Sequence, residues 1–258
     1  LNDSLVLSKK AMTRGWECLA LFAERLQDIP SENIRIIGTA TLRLARNVRT
    51  FLTEAEKILG HQIDVISGEE EAYLGYLGVI NTIGLTDFIM FDLGGASVEV
   101  SLVENRRVVQ SVSLPMGALT LTGSFQKGKE MTEAEAEKMC AHIRAVLGSE
   151  RWLSCRKLPL IGVGGTARNL AKMDQRAHDY PIAKLHNYRL SRERIEGIYN
   201  DVRSKKLAQR RKIQGLSAER ADIIIAGTAL IYELLKYTGA EEMRVSGCGL
   251  REGLFYRA

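Results

Sequence analysis

The segment Phe91-Asp92-Leu93-Gly94-Gly95-Ala96-Ser97-Val98-Glu99-Val100 leaves few folds open. An apolar run over 87–93 meets a Gly-Gly pair, after which Ser97, Glu99 and Ser101 alternate with Val98, Val100 and Leu102. This pattern predicts a strand, a tight turn and a second strand of period two. Glycines let the turn backbone approach a ligand closely, and successive N–H groups at such a bend form an anion-binding concavity. Asp92, Ser97 and Glu99 add oxygen atoms suited to a hard cation such as Mg²⁺. The competing reading is a surface hairpin with solvated carboxylates, and the rest of the chain decides between them.

A chain of 258 residues can bury a large core and suits two ordinary domains. Its formal net charge of +5 favours anionic ligands but is not gathered into one long basic tract, so neither nucleic acid nor a membrane surface is expected as a partner. Cys18, Cys140, Cys155 and Cys248 form no C-x-x-C pair, and His61, His142, His178 and His186 show no zinc-ligand spacing. Reduced, mostly buried thiols in a cytoplasmic protein are the expectation. No run is apolar and long enough to span a membrane, and no signal-peptide pattern is present. The chain begins with Leu1 rather than Met, which points to absent upstream sequence.

Helical periodicity over 4–28 ends at Ile29-Pro30. A short strand is predicted over 33–38, residues 39–47 lead from it into a helix to Leu59, and Arg43 lies just past the strand end, where a cation can face an anion although a solvated or ion-paired arginine is the commoner case. A strand over 63–66 leads into Ser67-Gly68-Glu69-Glu70-Glu71, which opens a helix. Ser67 and Glu70 form a capping box, and Glu69 suits the positive end of the helix dipole. That accounting assigns no capping role to Glu71. It shares a face with Gly75 and Gly78, whose lack of bulk leaves room beside it, while Tyr73, Tyr76, Leu77 and Ile80 build the packed face. A carboxylate beside an open face is suited to be a general base.

Further on, a strand is expected over 108–114, a short helix over 117–125 and a capped helix over 133–147. The apolar strand 157–163 runs into Gly164-Gly165-Thr166-Ala-Arg168-Asn169, a strand–glycine–helix anion site by geometry though not a Walker loop. An irregular loop is predicted over 174–188, helices over 192–201 and 204–212, and a long buried helix over 218–237. Arg203, Lys205, Lys206, Arg210, Arg211 and Lys212 read as a solvated face. Arg244-Val-Ser246-Gly247-Cys-Gly249-Leu-Arg251-Glu252-Gly253 repeats the strand–glycine–helix grammar, with Arg251 in the first turn. Three glycine turns at strand ends describe an α/β protein whose ligand cleft lies at those ends.

The Ser67-Gly-Glu-Glu-Glu71-Ala72 segment, Asp92-x-Gly94-Gly95-x-Ser97-x-Glu99, Gly162-x-Gly164-Gly165-Thr166 and Ser246-Gly-x-Gly249-x-Arg251-Glu252-Gly253 resemble, in order, the exopolyphosphatase/guanosine pentaphosphate phosphatase family of the actin-like ATPase superfamily. The resemblance implies an α/β fold of two actin-like domains enclosing a phosphate-binding interdomain cleft, with the remainder of the first over 1–82 and the second over 83–258. It matches Glu71 to the catalytic glutamate that activates the attacking water, and Asp92 and Glu99 to acidic residues near the divalent metal, Mg²⁺ or Mn²⁺. It matches Gly94, Gly95 and Ser97 to one phosphate loop, Gly164, Gly165 and Thr166 to another, and Arg43 and Arg251 to phosphate-contacting arginines.

Two departures accompany it. Ala96 stands where the family usually has glycine, and the family's first phosphate hairpin, D-x-G-S-x-S, is absent, so the first domain is expected to lack its first strands. The C-terminal helical extension of longer members is absent too. The implied reaction is release of a terminal phosphate from inorganic polyphosphate by metal-assisted water attack without a covalent intermediate, with guanosine pentaphosphate as the alternative substrate. A sugar or acid kinase of the same fold and a non-catalytic polyphosphate or alarmone sensor are the competing classes. A homodimer is compatible with all of these.

Overall fold

The structure, a computed structural model, describes residues 5–176 and 181–257. The chain forms two compact units, Leu1–Glu70 and Glu71–Ala258.

In the smaller unit, α1 (Lys9–Leu26) is capped by Ser8, whose side chain accepts the Ala11 N–H. A two-residue strand β1 (Ile37–Gly38) leads to α2 (Ala40–Leu44) and α3 (Val48–Leu59), and β2 (Asp64–Val65) pairs parallel with β1. Trp16 of α1 stacks on Phe51 of α3 at 6.0 Å and donates its indole N–H to the Phe51 carbonyl, so α1 and α3 share one apolar seam with Ala55, Leu59 and Ile63. The stretch from Thr39 that leads into the helix predicted to Leu59 is not one continuous helix. It breaks at Ala45, whose backbone is extended, and the Asn47 amide pairs with both the N–H and the carbonyl of Leu7. Strand 33–38 is likewise shorter than predicted, because Ser31–Asn33 forms a 3₁₀ turn.

Helix α4 (Gly68–Ile80) leads into the larger unit. There β3 (Phe88–Leu93) and β4 (Val98–Glu104) form the predicted hairpin. β4 returns into β5 (Arg107–Leu114) through Asn105 and Arg106, both at positive φ, a two-residue turn that matches strand twist. Then follow α5 (Ala118–Phe125), α6 (Glu133–Ser149), β6 (Leu160–Val163), α7 (Gly165–Asp174), α8 (Ile182–Leu185), β7 (Tyr188–Ser191), α9 (Arg192–Ser204), α10 (Leu207–Arg210), α11 (Ile224–Thr238), β8 (Glu242–Val245) and α12 (Leu250–Arg257). Six strands form one sheet in the order β5-β4-β3-β6-β8-β7, with β3, β6 and β8 parallel.

Period-two alternation sends Ile89, Phe91 and Leu93 into the large core with α6, α9 and α11, and Phe88 and Met90 to the opposite face with Val79 and Ile80 of α4. A sheet covered on both faces leaves ligand room only beyond the strand ends, as in other open α/β sheets.

Several local expectations are corrected. The loop predicted over 174–188 contains α8 and the start of β7, while residues 177–180, His178 among them, lie outside the described residues. Helix α9 extends to Ser204, helicity beyond it to 212 is confined to α10, and α11 begins at Ile224 after a single 3₁₀ turn, Ala218–Arg220. Arg210 is not solvated but buried, which removes it from the expected basic face. All four cysteines are unpaired thiols, yet Cys18 and Cys155 are exposed rather than buried. Among the described residues no helix is long and apolar enough to cross a membrane.

Candidate active site

The carboxyl ends of β3, β6 and β8 carry Asp92, Val163-Gly164 and Ser246, and a cavity of about 180 Å³ opens there. It is lined by Asp92, Gly164 and Arg251 from the sequence-predicted set, and also by Arg168, Ser246 and Glu252. Gly164 sits at φ +96, and a Cβ on it would come within 2.6 Å of the Leu93 carbonyl and 3.0 Å of Asp92 Oδ1. Only glycine allows β6 to turn into α7 directly against the Asp92 carboxylate.

Asp92 and Glu99 are direct cross-strand partners on β3 and β4. Like charges placed opposite one another destabilise a sheet. Burial and the nearby Glu71 carboxylate push the Asp92 carboxyl up to about 6, against the opposing pull of Arg168. Burial and Glu71 likewise push Glu99 up to about 7, although hydrogen bonds from Ser113 and Ser97 act in the other direction. Those hydroxyls donate to Glu99 Oε1 at 2.7 and 2.8 Å. Ser97, predicted as a phosphate ligand, therefore orients Glu99. Asp92 and Glu99 meet on adjacent strands, Glu71 of α4 acts on both, and both have raised proton affinity, a pattern that clusters at functional sites.

Glu71 stands in the first turn of α4, and Ser67 Oγ accepts the Glu70 N–H at 3.0 Å, which is the Ser67 half of the predicted capping box. The role predicted for the helix's glycines is corrected. A Cβ on Gly78 would lie 2.2 Å from the Gly249 carbonyl oxygen, and one on Gly75 would lie 3.4 Å from Met90. The glycine face is not open space but a flush seat for the 246–249 loop. The buried residues of α4 are Ala72, Leu74, Gly75, Gly78, Val79 and Ile80; of the predicted packed face Ile80 is buried and Tyr76 packs half-buried against the cluster of Phe88 and Met90, whereas Tyr73 is exposed. We expect Gly78→Ala to cost about 1–3 kcal/mol through overpacking. Its thermal unfolding should show this, since the atom in the way is backbone and cannot swing aside.

The two glycine loops differ in what they offer. The Gly94 N–H is used by the Ser97 carbonyl, whereas among the described residues no protein acceptor takes the Gly95 or Ala96 N–H. Gly164 and Gly165 open α7, whose first N–H groups point out of the helix toward the loop. Thr166 is 1% exposed and its side chain packs toward Gly227 of α11, so only its backbone faces the loop. Arg43 lies in the smaller unit, at the end of α2, and donates to the Ile66 carbonyl at 2.9 Å.

Sequence reading missed three contributors. Arg168 lines the cavity one turn into α7. The Arg220 guanidinium lies against Gly165, within 2.1 Å of where a Cβ would be, and burial, followed by the nearby Arg168 charge, lowers its proton affinity. Among the described residues no acceptor takes a hydrogen bond from that guanidinium. His186 accepts the Gly247 N–H at Nδ1 and bonds the Thr82 carbonyl through Nε2, tying the 246–249 loop to the end of α4. Arg168 was visible inside its motif; nothing near Arg220 or His186 in the chain marks either.

No group of three or more His, Cys, Asp or Glu side chains among the described residues is arranged to hold a metal. Asp92 and Glu99 fit a divalent hard ion in part. They supply oxygen donors in a place where added positive charge relieves their repulsion, but they are too few for a protein-only cage.

The Ppx/GppA phosphatase family model matches residues 1–258. A guanosine-5'-triphosphate,3'-diphosphate pyrophosphatase of Aeromonas hydrophila is 36% identical over 99% of this chain and 51% of its own length. One from Aliivibrio fischeri is 37% identical with the same coverage. The chain thus spans about half the length of these curated relatives. Among solved structures, an exopolyphosphatase from Cytophaga hutchinsonii superposes with a TM-score of 0.88 at 24% identity, over 97% of this chain and 82% of that one. The Aquifex aeolicus PPX-GPPA enzyme gives 0.83 at 23%, over 100% and 86%.

Proposed function

The chain belongs to the Ppx/GppA phosphatase family, and from that premise we propose that its site hydrolyses a terminal phosphoanhydride, with guanosine pentaphosphate as the favoured substrate and inorganic polyphosphate as the second. Sequence reading put polyphosphate first. The order is reversed because the curated relatives bear the guanosine name. The observation that carries the reading is the meeting of Asp92, Arg168, Arg251 and the Gly164 turn in one cavity, beside the carboxylates of Glu71 and Glu99.

In this reading the N–H groups of Gly95 and Ala96 and the N-terminus of α7 hold phosphate oxygens. Arg168 and Arg251 offset the charge that builds on the equatorial oxygens, while Arg220 binds the phosphate equally before and during reaction, and an anion between Arg168 and Arg220 relieves their mutual repulsion. Arg43 is retained as a phosphate contact on the likeness of its motif. Glu71 orients a water in line with the terminal phosphorus and accepts its proton as the new O–P bond forms and the bridging P–O bond breaks. Ser97 and Ser113 keep Glu99 oriented. Asp92 and Glu99 would hold Mg²⁺ or Mn²⁺ together with substrate oxygens, and such an ion supplies charge neutralisation on the phosphates.

The test is phosphate release by the intact protein from guanosine pentaphosphate and from long-chain polyphosphate, with no acceptor added. One phosphate per guanosine pentaphosphate is expected with Mg²⁺ or Mn²⁺, none after EDTA, and none restored by Ca²⁺. Turnover that requires an acceptor indicates a kinase, and tight binding without release indicates a sensor. Either result overturns the proposal.

A further inference from the structure

Arg220 reaches the glycine loop from a segment with almost no regular structure, a single 3₁₀ turn between α10 and α11. An arginine carries large rotamer entropy, so a fixed guanidinium needs its backbone fixed first. The segment is held on both sides of Arg220.

Gly215, at φ +88, lies against α7 so closely that a Cβ would come within 2.3 Å of the Lys172 carbonyl oxygen. Next, the Ser217 N–H donates to Oδ1 of Asn169 at 2.8 Å, and Asn169 Nδ2 donates to the Gly165 carbonyl, also at 2.8 Å. Asn169 is only 4% exposed. Beyond Arg220, the buried Arg210 donates through Nε to the Ala221 carbonyl at 2.8 Å and through Nη1 to the Lys205 carbonyl at 2.6 Å, with Glu130 at 3.3 Å from Nη2.

We propose that Asn169 is a positioning residue of the phosphate site: its amide ties the strap 215–221 to the glycine loop, so that the Arg220 guanidinium stays over Gly165 beside Arg168. The proposal rests on the reading of Arg220 as a phosphate-facing cation. A bond from Asn169 back to the carbonyl four residues earlier is an ordinary habit of polar side chains in helices. The bond to Ser217 is not, because it joins groups 48 residues apart and connects the phosphate loop to the turn that carries Arg220. Buried polar groups satisfied on both sides in this way specify one geometry.

The test is a double-mutant cycle in the intact protein. Asn169→Leu removes both bonds at similar volume and should raise KM roughly tenfold with kcat within about threefold, the pattern of lost binding common to ground and transition states. Arg220→Ala should do the same. The double variant should be no worse than Arg220→Ala, because a residue acting through Arg220 then has nothing left to position. Gly165→Ala, which puts a methyl group where the guanidinium sits, should fall in the same class. Ser217→Pro serves if Asn169→Leu does not fold, since it deletes the donor at a φ of −66 that proline adopts.

Calorimetric binding of inorganic tripolyphosphate reads the same cycle whether or not turnover occurs, so failure of the hydrolase reading stays separate. Losses that multiply in the double variant, or wild-type KM and tripolyphosphate affinity in Asn169→Leu and Ser217→Pro, overturn the assignment. Unchanged affinity in Arg220→Ala overturns it as well.

Discussion

Glutamine in place of Glu71 lowers phosphate release by about 10²–10⁴-fold, the usual share of a general base, and leaves substrate binding within a few-fold of wild type. The amide keeps the size of the side chain but cannot take a proton from water. Helix α4 should be unaffected, because its cap runs through Ser67 Oγ and the Glu70 N–H. Glu70→Ala retains that N–H and is expected to keep most activity. A second signature accompanies the Glu71 variant. The Glu71 charge is among the causes that raise the Asp92 and Glu99 carboxyls, so its removal should move both back toward ordinary carboxylate values, visible by carbonyl-detected NMR titration. Wild-type turnover in Glu71→Gln, measured by phosphate release under saturating substrate, assigns the proton to another group.

Asp92→Asn is expected to lower phosphate release by about 10²–10³-fold and, without a divalent ion, to make the folded protein more stable at pH 8. The Asp92 and Glu99 carboxyls titrate near 6 and 7 in the folded chain, above their ordinary range, because burial and Glu71 disfavour their charged forms. The folded state therefore holds protons that the unfolded chain releases near pH 4. Its extra stability is complete below that pH and is lost as pH rises through about 6 and then 7. A shift of roughly two units corresponds to about 3 kcal/mol of strain at Asp92 once it ionises. Asparagine removes the charge and with it this strain.

Thermal unfolding with EDTA from pH 4 to 8 should show wild type falling in stability across that range and the asparagine variant falling less. Adding Mg²⁺ with tripolyphosphate should stabilise wild type more than the variant. A variant that melts no higher than wild type at pH 8 shows that the carboxylate is already balanced within the protein, and removes the reason for placing a cation beside it.

What the chain determines by itself is local. The Gly94-Gly95 turn, with an apolar run before it and alternation after it, specifies the β3–β4 hairpin and places Asp92 opposite Glu99, because a period of two leaves one register in which both faces bury correctly. Ser67 and the residues after it specify the start of α4, and so the position of Glu71, through a cap that closes within three residues. Strand, glycine, helix at 160–169 is legible for the same reason. The tertiary structure decides whatever depends on contacts far apart in sequence. Gly78 reads as free room along its helix and turns out to seat the Gly249 backbone. Arg210 reads as one more solvated cation and is buried against Glu130 and the Ala221 carbonyl. Arg220 reads as nothing at all, yet the fold lays it on Gly165, some fifty positions earlier in the chain. Local patterns carry their own hydrogen-bond and burial accounting, whereas a side chain's partner across the fold exists only after the sheet has brought the two segments together.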